Sequence, residues 1–256
     1  MNNSQMDFTQ RVVIITGGAQ GIGRAYALEF AAAGARVVVA DLNSDKAAAV
    51  AAEITASGGQ ALGLAVDVSD RVSVDAMVTA CLEAWGQVDV LINNAAVFST
   101  LKMKPFEEID VDEWDLVMNV NARGVFFCCQ AVAAAMRERG SGKIINISSS
   151  VVQTGRAHYA HYVASKGAVV ALTRALATEL GDSGINVNAI SPHGIVTEVP
   201  RDTIKPEQWD AILAAQALKR KGGVTDMIGA TLFLASDHSN YITGQTLNVD
   251  AGLRFN

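Results

Sequence analysis

The feature that most constrains this chain is a glycine-rich turn between an apolar run and a helix-forming segment. Residues 11–16 (Arg-Val-Val-Ile-Ile-Thr) form a continuous apolar run, which is typical of a buried parallel strand. Gly17-Gly18-Ala19-Gln20-Gly21-Ile22-Gly23 follows at once, and a helix is predicted from there to about Ala33. Such a turn lets the backbone approach a pyrophosphate and presents it with a helix N-terminus. Tight helix–strand packing without a ligand is the alternative, and the flanking strand and helix favour the phosphate site.

An acidic residue ends the second predicted strand, which spans residues 36–40. Asp41 stands roughly 20 residues after the glycine turn, where a carboxylate binds the adenosine ribose of a dinucleotide. Its charge would repel the 2′-phosphate of NADP, and the next residue is Leu42 rather than an arginine. The sequence therefore predicts NAD as the cofactor. Capping of the following helix is a competing role, which residues 43–45 (Asn-Ser-Asp) fit better than Asp41 does.

Strand and helix patterns continue to alternate after Asp41. A third strand is predicted over residues 61–66, a helix over 71–85 and a fourth strand over 88–92. Apolar strands that alternate with helices indicate a parallel sheet covered on both faces, and ligands bind at the carboxyl ends of such strands. The polar residues at those ends, which we expect to lie along one edge, are Thr16, Asp41, Asp67 and Asn93.

Composition narrows the class of protein. At 256 residues the chain fits one large domain or two small ones, and we expect a single domain over residues 1–256. Half of the residues are hydrophobic and 18% are charged, which permits a large core. The net charge of −6, without a basic block, argues against nucleic acid or an anionic membrane as a partner. We expect no membrane-spanning segment, because no apolar run has the length of a membrane span, and no signal peptide, because the N-terminus is polar. The three cysteines, Cys81, Cys128 and Cys129, lie in apolar surroundings, and we expect buried thiols in a cytoplasmic protein.

Two residues of the segment 148–166 stand four apart on a predicted helix. Tyr162 and Lys166 therefore lie on one helix face. A nearby lysine cation favours the phenolate and lowers the pKa of a tyrosine, which is otherwise a poor base at neutral pH. Such a tyrosine can take a proton from an alcohol or give one to a ketone.

These motifs, in this order, resemble those of the short-chain dehydrogenase/reductase family over essentially the whole chain. The glycine turn resembles that family's Thr-Gly-x-x-x-Gly-x-Gly loop. Asp67-Val68 is similar to its adenine-contacting pair, and Asn93-Asn94-Ala95 is similar to its Asn-Asn-Ala-Gly segment, with Ala96 in place of glycine. The resemblance implies a Rossmann fold, that is, an α/β doubly wound, mostly parallel, seven-stranded sheet with helices on both faces.

The resemblance also implies a catalytic set, which comprises Asn121, Ser149, Tyr162 and Lys166. Ser149 is selected from its serine neighbours because the family's serine lies thirteen residues before its tyrosine. Ser149 would donate a hydrogen bond to the reacting oxygen, and Asn121 would hold a water that relays protons from Lys166. No metal is expected. The positions assigned to the NAD cofactor are Gly17, Gln20, Gly21, Ile22, Gly23, Asp41, Leu42, Asp67, Val68, Asn94, Ala95, Tyr162, Lys166, Pro192, Ile195 and Thr197.

The family's usual Pro-Gly over the nicotinamide is here Pro192-His193, with Gly194 following, so the backbone shape at that point is left open. Substrate residues in this family come from the segments around the serine and tyrosine and from a variable segment, here a substrate lid at about residues 196–220. The candidate substrate residues are Val151, Gln153, Arg156, His158, Tyr159 and His193. They suggest a small, polar or ring-bearing alcohol or carbonyl compound.

The expected activity is an NAD-dependent alcohol dehydrogenase or ketone reductase, acting on a small-molecule substrate. An NADP-linked 3-oxoacyl (ketoacyl) reductase and a non-catalytic NAD-binding sensor or scaffold are the alternatives. The first conflicts with Asp41-Leu42, and the second with an intact catalytic set. The family resemblance further implies a homotetramer built on two long helices, near residues 112–137 and 160–181, and on the last strand.

Overall fold

The computed structural model describes residues 6–200 and 208–255. Strands and helices alternate through the first two thirds of the chain, as the hydrophobic pattern predicts. The strands are β1 Val12–Thr16, β2 Arg36–Asp41, β3 Gln60–Ala65, β4 Val90–Asn93, β5 Gly142–Ile147, β6 Ile185–Pro192, β7 Ile195–Val196, β8 Gly222–Gly223 and β9 Thr246–Val249. The helices are α1 Gly21–Ala32, α2 Ser44–Ala56, α3 Arg71–Trp85, α4 Val111–Met118, α5 Gly124–Arg139, α6 Val151–Thr154, α7 Ala160–Leu180, α8 Trp209–Ala215 and α9 Thr225–Ala235.

One seven-stranded sheet organises the chain, with strand order β3-β2-β1-β4-β5-β6-β9 and every neighbouring pair parallel. The order reverses between β1 and β4, and an open crevice forms at such a reversal, outside the carboxyl ends of the strands. The predicted Rossmann fold, with its seven-stranded sheet, is confirmed. Two predicted strands are shifted by one or two residues, since β3 begins at Gln60 and β4 begins at Val90.

Helices cover both faces of the sheet, because successive strand residues point to opposite sides. In β1, Val12 and Ile14 pack with residues of α3, α5 and α7, whereas Val13 and Ile15 pack with residues of α1, α2 and α9. All four side chains are fully buried. The sheet is therefore a rigid interior, and the loops at its carboxyl edge remain available for ligands.

The long helix predicted near residues 112–137 is interrupted by a π-helical turn at Asn119–Arg123, between α4 and α5. Gly124 begins α5, where a Cβ atom would lie 2.8 Å from the Val68 side chain, so glycine allows the helix to approach the β3 end. On length and composition alone, Val111–Arg139 is apolar enough to cross a membrane, which corrects the expectation that no run is long enough. Core residues of a globular protein meet the same test, and Val125, Cys128 and Val132 belong to the core here.

The segment expected to form a substrate lid is described only in part. Residues 201–207 lie outside the described residues, whereas α8 and the short parallel pair of β7 with β8 lie within them. Gly194 takes a positive φ of 60°, and its Cα faces the ring of Trp209, the first residue of α8. The glycine that follows the proline directly in the family thus stands one position later in this chain, after His193.

Candidate active site

A large cavity lies at the carboxyl ends of β1, β2, β4, β5 and β6, where the reversed strand order predicts a crevice. Its volume is about 770 Å³, which is large enough for a dinucleotide together with a small substrate. The wall includes every residue that the sequence assigns to the cofactor except Gly23. Gly23 is instead a packing position, since a Cβ there would lie 2.0 Å from the carbonyl oxygen of Gly17.

The glycine turn is held against the neighbouring strand end by side-chain hydrogen bonds. The Oγ1 of Thr16 accepts from the backbone nitrogens of Asn94 and Ala95, both at 3.1 Å. The Asn94 amide nitrogen donates to the carbonyl oxygens of Thr16 and Gly17, at 3.1 and 3.0 Å. Gly17 has a φ of 62°, and a Cβ there would lie 2.8 Å from the Ala95 Cα. The turn is thus a bare-backbone cradle of the kind that suits a pyrophosphate.

The carboxylate of Asp41 ends β2 and is fixed by two backbone groups. Its Oδ2 accepts from the Ala19 nitrogen at 3.1 Å, and its Oδ1 accepts from the Asn43 nitrogen at 3.0 Å. Leu42 lines the cavity beside it and is largely exposed. Lys46 also lines this end, and its Nζ donates to the Gln20 side-chain oxygen at 2.8 Å. Asp41 therefore faces the cavity as an oriented acceptor, as a ribose site requires.

Asp67 follows β3 and lines the same end of the cavity. Its Oδ1 accepts from the backbone nitrogen and the hydroxyl of Ser69, at 2.8 and 2.7 Å. These bonds orient the carboxylate within its loop. Asp67 and Val68 thus line the same cavity as Asp41.

A carboxylate that the sequence analysis did not identify lies at the N-terminus of α1. The Gly21 nitrogen donates to Glu198 Oε1 at 2.7 Å, and Gln20, at the N-cap position, makes no side-chain capping bond. The Gly21 hydrogen bond is the main reason that the pKa of Glu198 lies below its ordinary value, with smaller effects from Arg24 and Lys46. No sequence signal marks this contact, because 177 residues separate its partners.

Three consecutive serines follow β5, and the structure gives each a different environment. The Ser148 hydroxyl donates to the Lys166 carbonyl oxygen at 3.1 Å, and Ser150 Oγ lies 2.7 Å from His193 Nδ1. Ser149 lines the cavity, and within the described residues its hydroxyl accepts one long bond, 3.4 Å, from the Val151 nitrogen. The hydroxyl of Ser149 is therefore better placed than those of Ser148 and Ser150 to donate to a bound oxygen.

Tyr162 and Lys166 meet on the cavity wall, one turn apart on α7. Lys166 Nζ lies 5.8 Å from the centre of the Tyr162 ring and donates to the Ile147 carbonyl oxygen at 2.8 Å. Burial lowers the pKa of Lys166 to about 8. A buried cation beside a phenol favours the phenolate, which is the chemistry that a proton-transferring tyrosine needs.

Asn121 occupies the π-helical turn and is fully buried. Its Oδ1 accepts from the Val97 nitrogen at 2.7 Å, and its Nδ2 donates to the Val97 carbonyl and to Ser165 Oγ, at 3.1 and 3.2 Å. The Ser165 hydroxyl in turn donates to the Tyr162 carbonyl oxygen at 2.8 Å. The side chain therefore ties the loop after β4 to α7. Asn121 is not among the described residues of the cavity wall, and the proton relay expected of it stays a prediction.

The six candidate substrate residues separate into two groups. Val151, Arg156 and His193 line the cavity, whereas Gln153, His158 and Tyr159 are not part of its described wall. Tyr159 is fully buried, and its hydroxyl donates to the Phe98 carbonyl oxygen at 3.1 Å. His158 is exposed with a φ of 63°, and its carbonyl accepts from the Lys104 nitrogen. Loop residues such as these have no periodicity from which their direction can be predicted.

A charged cluster fastens the loop after β4, which supplies the cavity residues Val97, Phe98, Ser99 and Thr100. Glu113 bonds to Lys104 through one carboxylate oxygen and to His161 Nε2, at 3.0 Å, through the other. His161 is fully buried and immediately precedes Tyr162. The Lys104 bond is the main cause that lowers the pKa of Glu113, and the His161 bond acts in the same direction.

The chain is similar in sequence to known oxidoreductases over almost its whole length. The family described as enoyl-(acyl carrier protein) reductase matches residues 17–254. The chain is 38% identical over 247 residues to a (2S)-[(R)-hydroxy(phenyl)methyl]succinyl-CoA dehydrogenase subunit of Thauera aromatica, covering 96% of this chain and 98% of that protein. It is 40% identical over 242 residues to a 3-oxoacyl-[acyl-carrier-protein] reductase of Staphylococcus aureus, covering 94% and 96%.

The fold of this chain is also similar to that of a dehydrogenase of known structure. A 7α-hydroxysteroid dehydrogenase in complex with NADH and 7-oxo glycochenodeoxycholic acid superposes with a TM-score of 0.93 at 33% identity, covering 98% of this chain and 97% of that one. The similarity extends over the whole fold, and it includes proteins whose substrates differ widely in size and shape.

Proposed function

Because this chain belongs to the short-chain dehydrogenase/reductase family, we propose that it is an NAD-dependent dehydrogenase of small, polar or ring-bearing alcohols. The observation that carries the proposal is the shared wall of one cavity, with Ser149, Tyr162 and Lys166 at one end and Asp41 at the other. Proton-transfer chemistry and a ribose site are thus joined in one space. Oxidation of alcohols and reduction of ketones are the two directions of this reaction.

The roles of the four catalytic candidates follow from their surroundings. Tyr162 takes the hydroxyl proton of the alcohol, or returns it to the ketone. Lys166 supplies the positive charge that lowers the tyrosine pKa. Ser149 donates a hydrogen bond to the substrate oxygen while charge develops there. Asn121 positions α7 and the loop after β4 through Val97 and Ser165. A bound nicotinamide cofactor supplies the hydride chemistry itself.

Several features of the wall fit such a cofactor. The glycine turn offers bare backbone to a pyrophosphate, and the Asp41 carboxylate is oriented for ribose hydroxyls. A 2′-phosphate would meet the negative charge of Asp41, which supports NAD. The remaining residues that would hold the cofactor are Gln20, Gly21, Ile22, Leu42, Asp67, Val68, Asn94, Ala95, Pro192, Ile195 and Thr197.

The test is a spectrophotometric screen at 340 nm with NAD or NADP and a panel of alcohols. The panel contains polyols, sugars, hydroxy acids, pyridoxal and other ring alcohols, and hydroxysteroids. We expect NAD-linked oxidation of one class by the wild type and its loss in Tyr162→Phe, with NAD binding retained. Tyr241→Phe is the matched control, since Tyr241 is fully exposed. Full turnover by Tyr162→Phe would refute the mechanism.

A second candidate is an NADP-linked 3-oxoacyl reductase. Similarity to the Staphylococcus aureus reductase favours it, as does the presence of Lys46 on the cavity wall near Asp41. Activity restricted to NADPH with acyl ketones would establish this candidate in place of the first. Tight NAD binding with no turnover of any alcohol or ketone would instead support a sensor or scaffold.

The proposal extends to the organisation of the enzyme. We infer one catalytic unit over residues 1–256, with the segment at about 196–220 closing over the substrate, in a cytoplasmic homotetramer. Exposed apolar residues on a helix and the strand expected at the interfaces support self-association, since Phe126 and Leu247 are each about two-fifths exposed. Sedimentation that gives only a monomer at micromolar concentration would refute the tetramer.

A further inference from the structure

The tyrosine proposed to transfer the proton lies in the first turn of a long helix. α7 begins at Ala160, and Tyr162 is its third residue. The first four N–H groups of a helix have no partner inside the helix, so its first turn depends on contacts from outside. The hydroxyl of Tyr159, at the N-cap position, donates to the Phe98 carbonyl oxygen and does not cap the helix. The contacts that hold this turn therefore decide where the phenol of Tyr162 lies.

A buried histidine ties that turn to another helix. His161 immediately precedes Tyr162, is fully buried, and its Nε2 lies 3.0 Å from Oε1 of Glu113 on α4. Because a carboxylate only accepts, Nε2 carries a proton and donates it to this bond. Among the described residues Nδ1 of His161 has no hydrogen-bond partner, so the bond to Glu113 is the polar contact that orients the ring. Removing it would leave a buried donor unsatisfied.

Glu113 is itself held in place at several points. Its backbone nitrogen donates to Oδ1 of Asp110, the N-cap of α4, at 2.8 Å. Its second carboxylate oxygen bonds to Lys104. The first turn of α7, Ala-His-Tyr-Val, contains no carboxylate of its own, and a negative charge beside a helix N-terminus is favourable. Glu113 is therefore a fixed point to which this turn is attached.

Apolar packing brings the same elements together but does not orient them. Val117, one turn after Glu113, is fully buried in a cluster with Tyr159 and Tyr162. The rings of Tyr159 and His161 meet edge to face, with centres 5.9 Å apart. Hydrophobic contacts are non-directional, whereas a hydrogen bond has a preferred distance and angle. The bond between His161 and Glu113 is thus the directional part of this contact between α4 and α7.

The position of the first turn matters because the partners of Tyr162 lie elsewhere. Lys166 belongs to the next turn, with Nζ 5.8 Å from the centre of the Tyr162 ring, and it is fixed by the Ile147 carbonyl oxygen. Ser149 follows β5. The attraction between a cation and a phenolate falls with distance, and proton transfer needs hydrogen-bond reach. A loosened first turn would therefore separate the phenol from both partners.

We propose that His161 is a positioning residue, whose bond to Glu113 holds the first turn of α7 so that the Tyr162 phenol stays beside Lys166 and Ser149. This inference rests on the proposed dehydrogenase function, since it assigns a role within the same site. His161 is not among the described residues of the cavity wall, and it acts through Tyr162. It takes no proton from the substrate.

Two substitutions at His161 separate the hydrogen bond from the bulk of the side chain. His161→Leu keeps an apolar side chain but removes the donor, whereas the amide nitrogen of His161→Gln lies near the position of Nε2. We expect His161→Leu to lower kcat by about ten- to a hundred-fold, because small displacements of reacting groups cost this much. KM for NAD should stay within about two-fold, and His161→Gln should recover most of kcat. If His161→Leu does not fold, His161→Asn serves instead, since its shorter side chain does not reach Glu113.

Two controls show whether the effect passes through the proposed bond. His238→Leu should keep full activity, because His238 is exposed in the short helix after α9. Glu113→Leu should lower kcat as His161→Leu does, and the double variant should lose no more than either single variant. Such non-additivity is expected of two residues that act as one unit. Full multiplication of the two losses would contradict a shared role.

Ionisation of Tyr162 gives a readout independent of turnover. The ultraviolet absorbance of tyrosinate is followed against pH without cofactor, and subtracting the same titration of Tyr162→Phe cancels the other tyrosines. With His161→Leu in both proteins of the pair, we expect the midpoint to rise by about one pH unit, since the phenol has moved away from the Lys166 cation. That shift supports the positioning role even if no alcohol is oxidised, in which case only the dehydrogenase proposal fails. An unchanged midpoint, together with wild-type kcat in His161→Leu, would overturn the role of His161 and leave the dehydrogenase standing.

Discussion

The carboxylate of Glu198 lies 2.7 Å from the backbone nitrogen of Gly21, so a side chain of the protein occupies the anion-binding end of α1. Thr197 and Val199, its chain neighbours, lie over the same glycine. A pyrophosphate bound in the cradle would compete for this N–H group. Glu198 would also repel it, because both groups are negatively charged.

We therefore expect Glu198→Gln to bind NAD about three- to ten-fold more tightly than the wild type, since a modest charge repulsion is removed. Calorimetric titration with NAD, without substrate, measures this change. Glu29→Gln is the control, because Glu29 is an exposed carboxylate on the same helix. Unchanged affinity in Glu198→Gln would mean that the carboxylate and the pyrophosphate do not compete.

Replacing the carboxylate that ends β2 should alter the choice of cofactor. Asp41→Ser removes the charge that opposes a 2′-phosphate, and Lys46 on the same wall then offers a positive partner. We expect the ratio of kcat/KM for NAD to that for NADP to fall by about ten-fold or more. The assay compares both cofactors with one alcohol. A ratio that stays constant would show that Asp41 does not contact the ribose.

The cluster of Lys104, Glu113 and His161 should fix the loop after β4 against α7. Glu113→Gln keeps the shape but removes the charge, and we expect it to destabilise the protein by roughly 1–3 kcal/mol at pH 7 and to raise KM. Urea unfolding and steady-state kinetics measure the two effects. Glu107→Gln, at an exposed carboxylate of the same segment, is the control.

The contribution of Glu113 to the free energy of unfolding should depend on pH. The pKa of Glu113 is lowered in the folded protein, so its stabilisation is fully present above the unfolded pKa of about 4.3. That stabilisation is lost as the pH falls through the lower, folded value. The difference in free energy of unfolding between wild type and Glu113→Gln should therefore shrink in acid. A difference that is independent of pH would contradict an ionic role for this carboxylate.

The buried Lys143 allows a second test of pH dependence, in the alkaline range. Its Nζ is buried in β5 and donates to the side-chain oxygens of Asn186 and Asn240, at 2.8 and 2.7 Å. Desolvation lowers its pKa to about 8, an effect that Asp237 opposes and Arg11 reinforces. Between pH 8 and about 10.4, Lys143 is protonated in the unfolded protein and deprotonated in the folded one. The free energy of unfolding therefore rises as the pH rises through this range.

We expect the free energy of unfolding of the wild type, relative to Lys143→Met, to rise by roughly 3 kcal/mol over this pH range. Taking the difference between the two proteins cancels the titration of all other groups. Lys102→Met, at an exposed lysine, should show no such trend. A flat difference for Lys143→Met would show that the buried amine has an ordinary pKa.

The sequence predicted the sheet and its carboxyl edge because both depend on local patterns. Apolar runs determined the strands, and the polar residues Thr16, Asp41 and Asn93 fall at the ends of β1, β2 and β4 as predicted. The serine–tyrosine spacing of the family selects Ser149, and in the structure Ser148 and Ser150 bond to other partners. These inferences needed no knowledge of contacts between distant segments.

The remaining features depend on such contacts. Glu198 reaches Gly21 across 177 positions, which no periodicity encodes. Tyr159 and Arg156 are neighbours in a loop, yet one is fully buried and the other lines the cavity. Asn121 was identified by its motif, but its hydrogen bonds to Val97 arise from a π-helical turn that the helical pattern did not predict.

That π-helical turn has a consequence for how this helix can change. A π-turn is usually a single added residue inside an otherwise α-helical segment. Deleting one residue from Asn119–Arg123 would restore a plain α-helix without rotating the buried faces of α4 and α5 relative to each other. The same deletion would remove the position from which Asn121 reaches Val97. The π-helical turn, and not the α-helix on either side of it, thus sets the position of Asn121 against Val97.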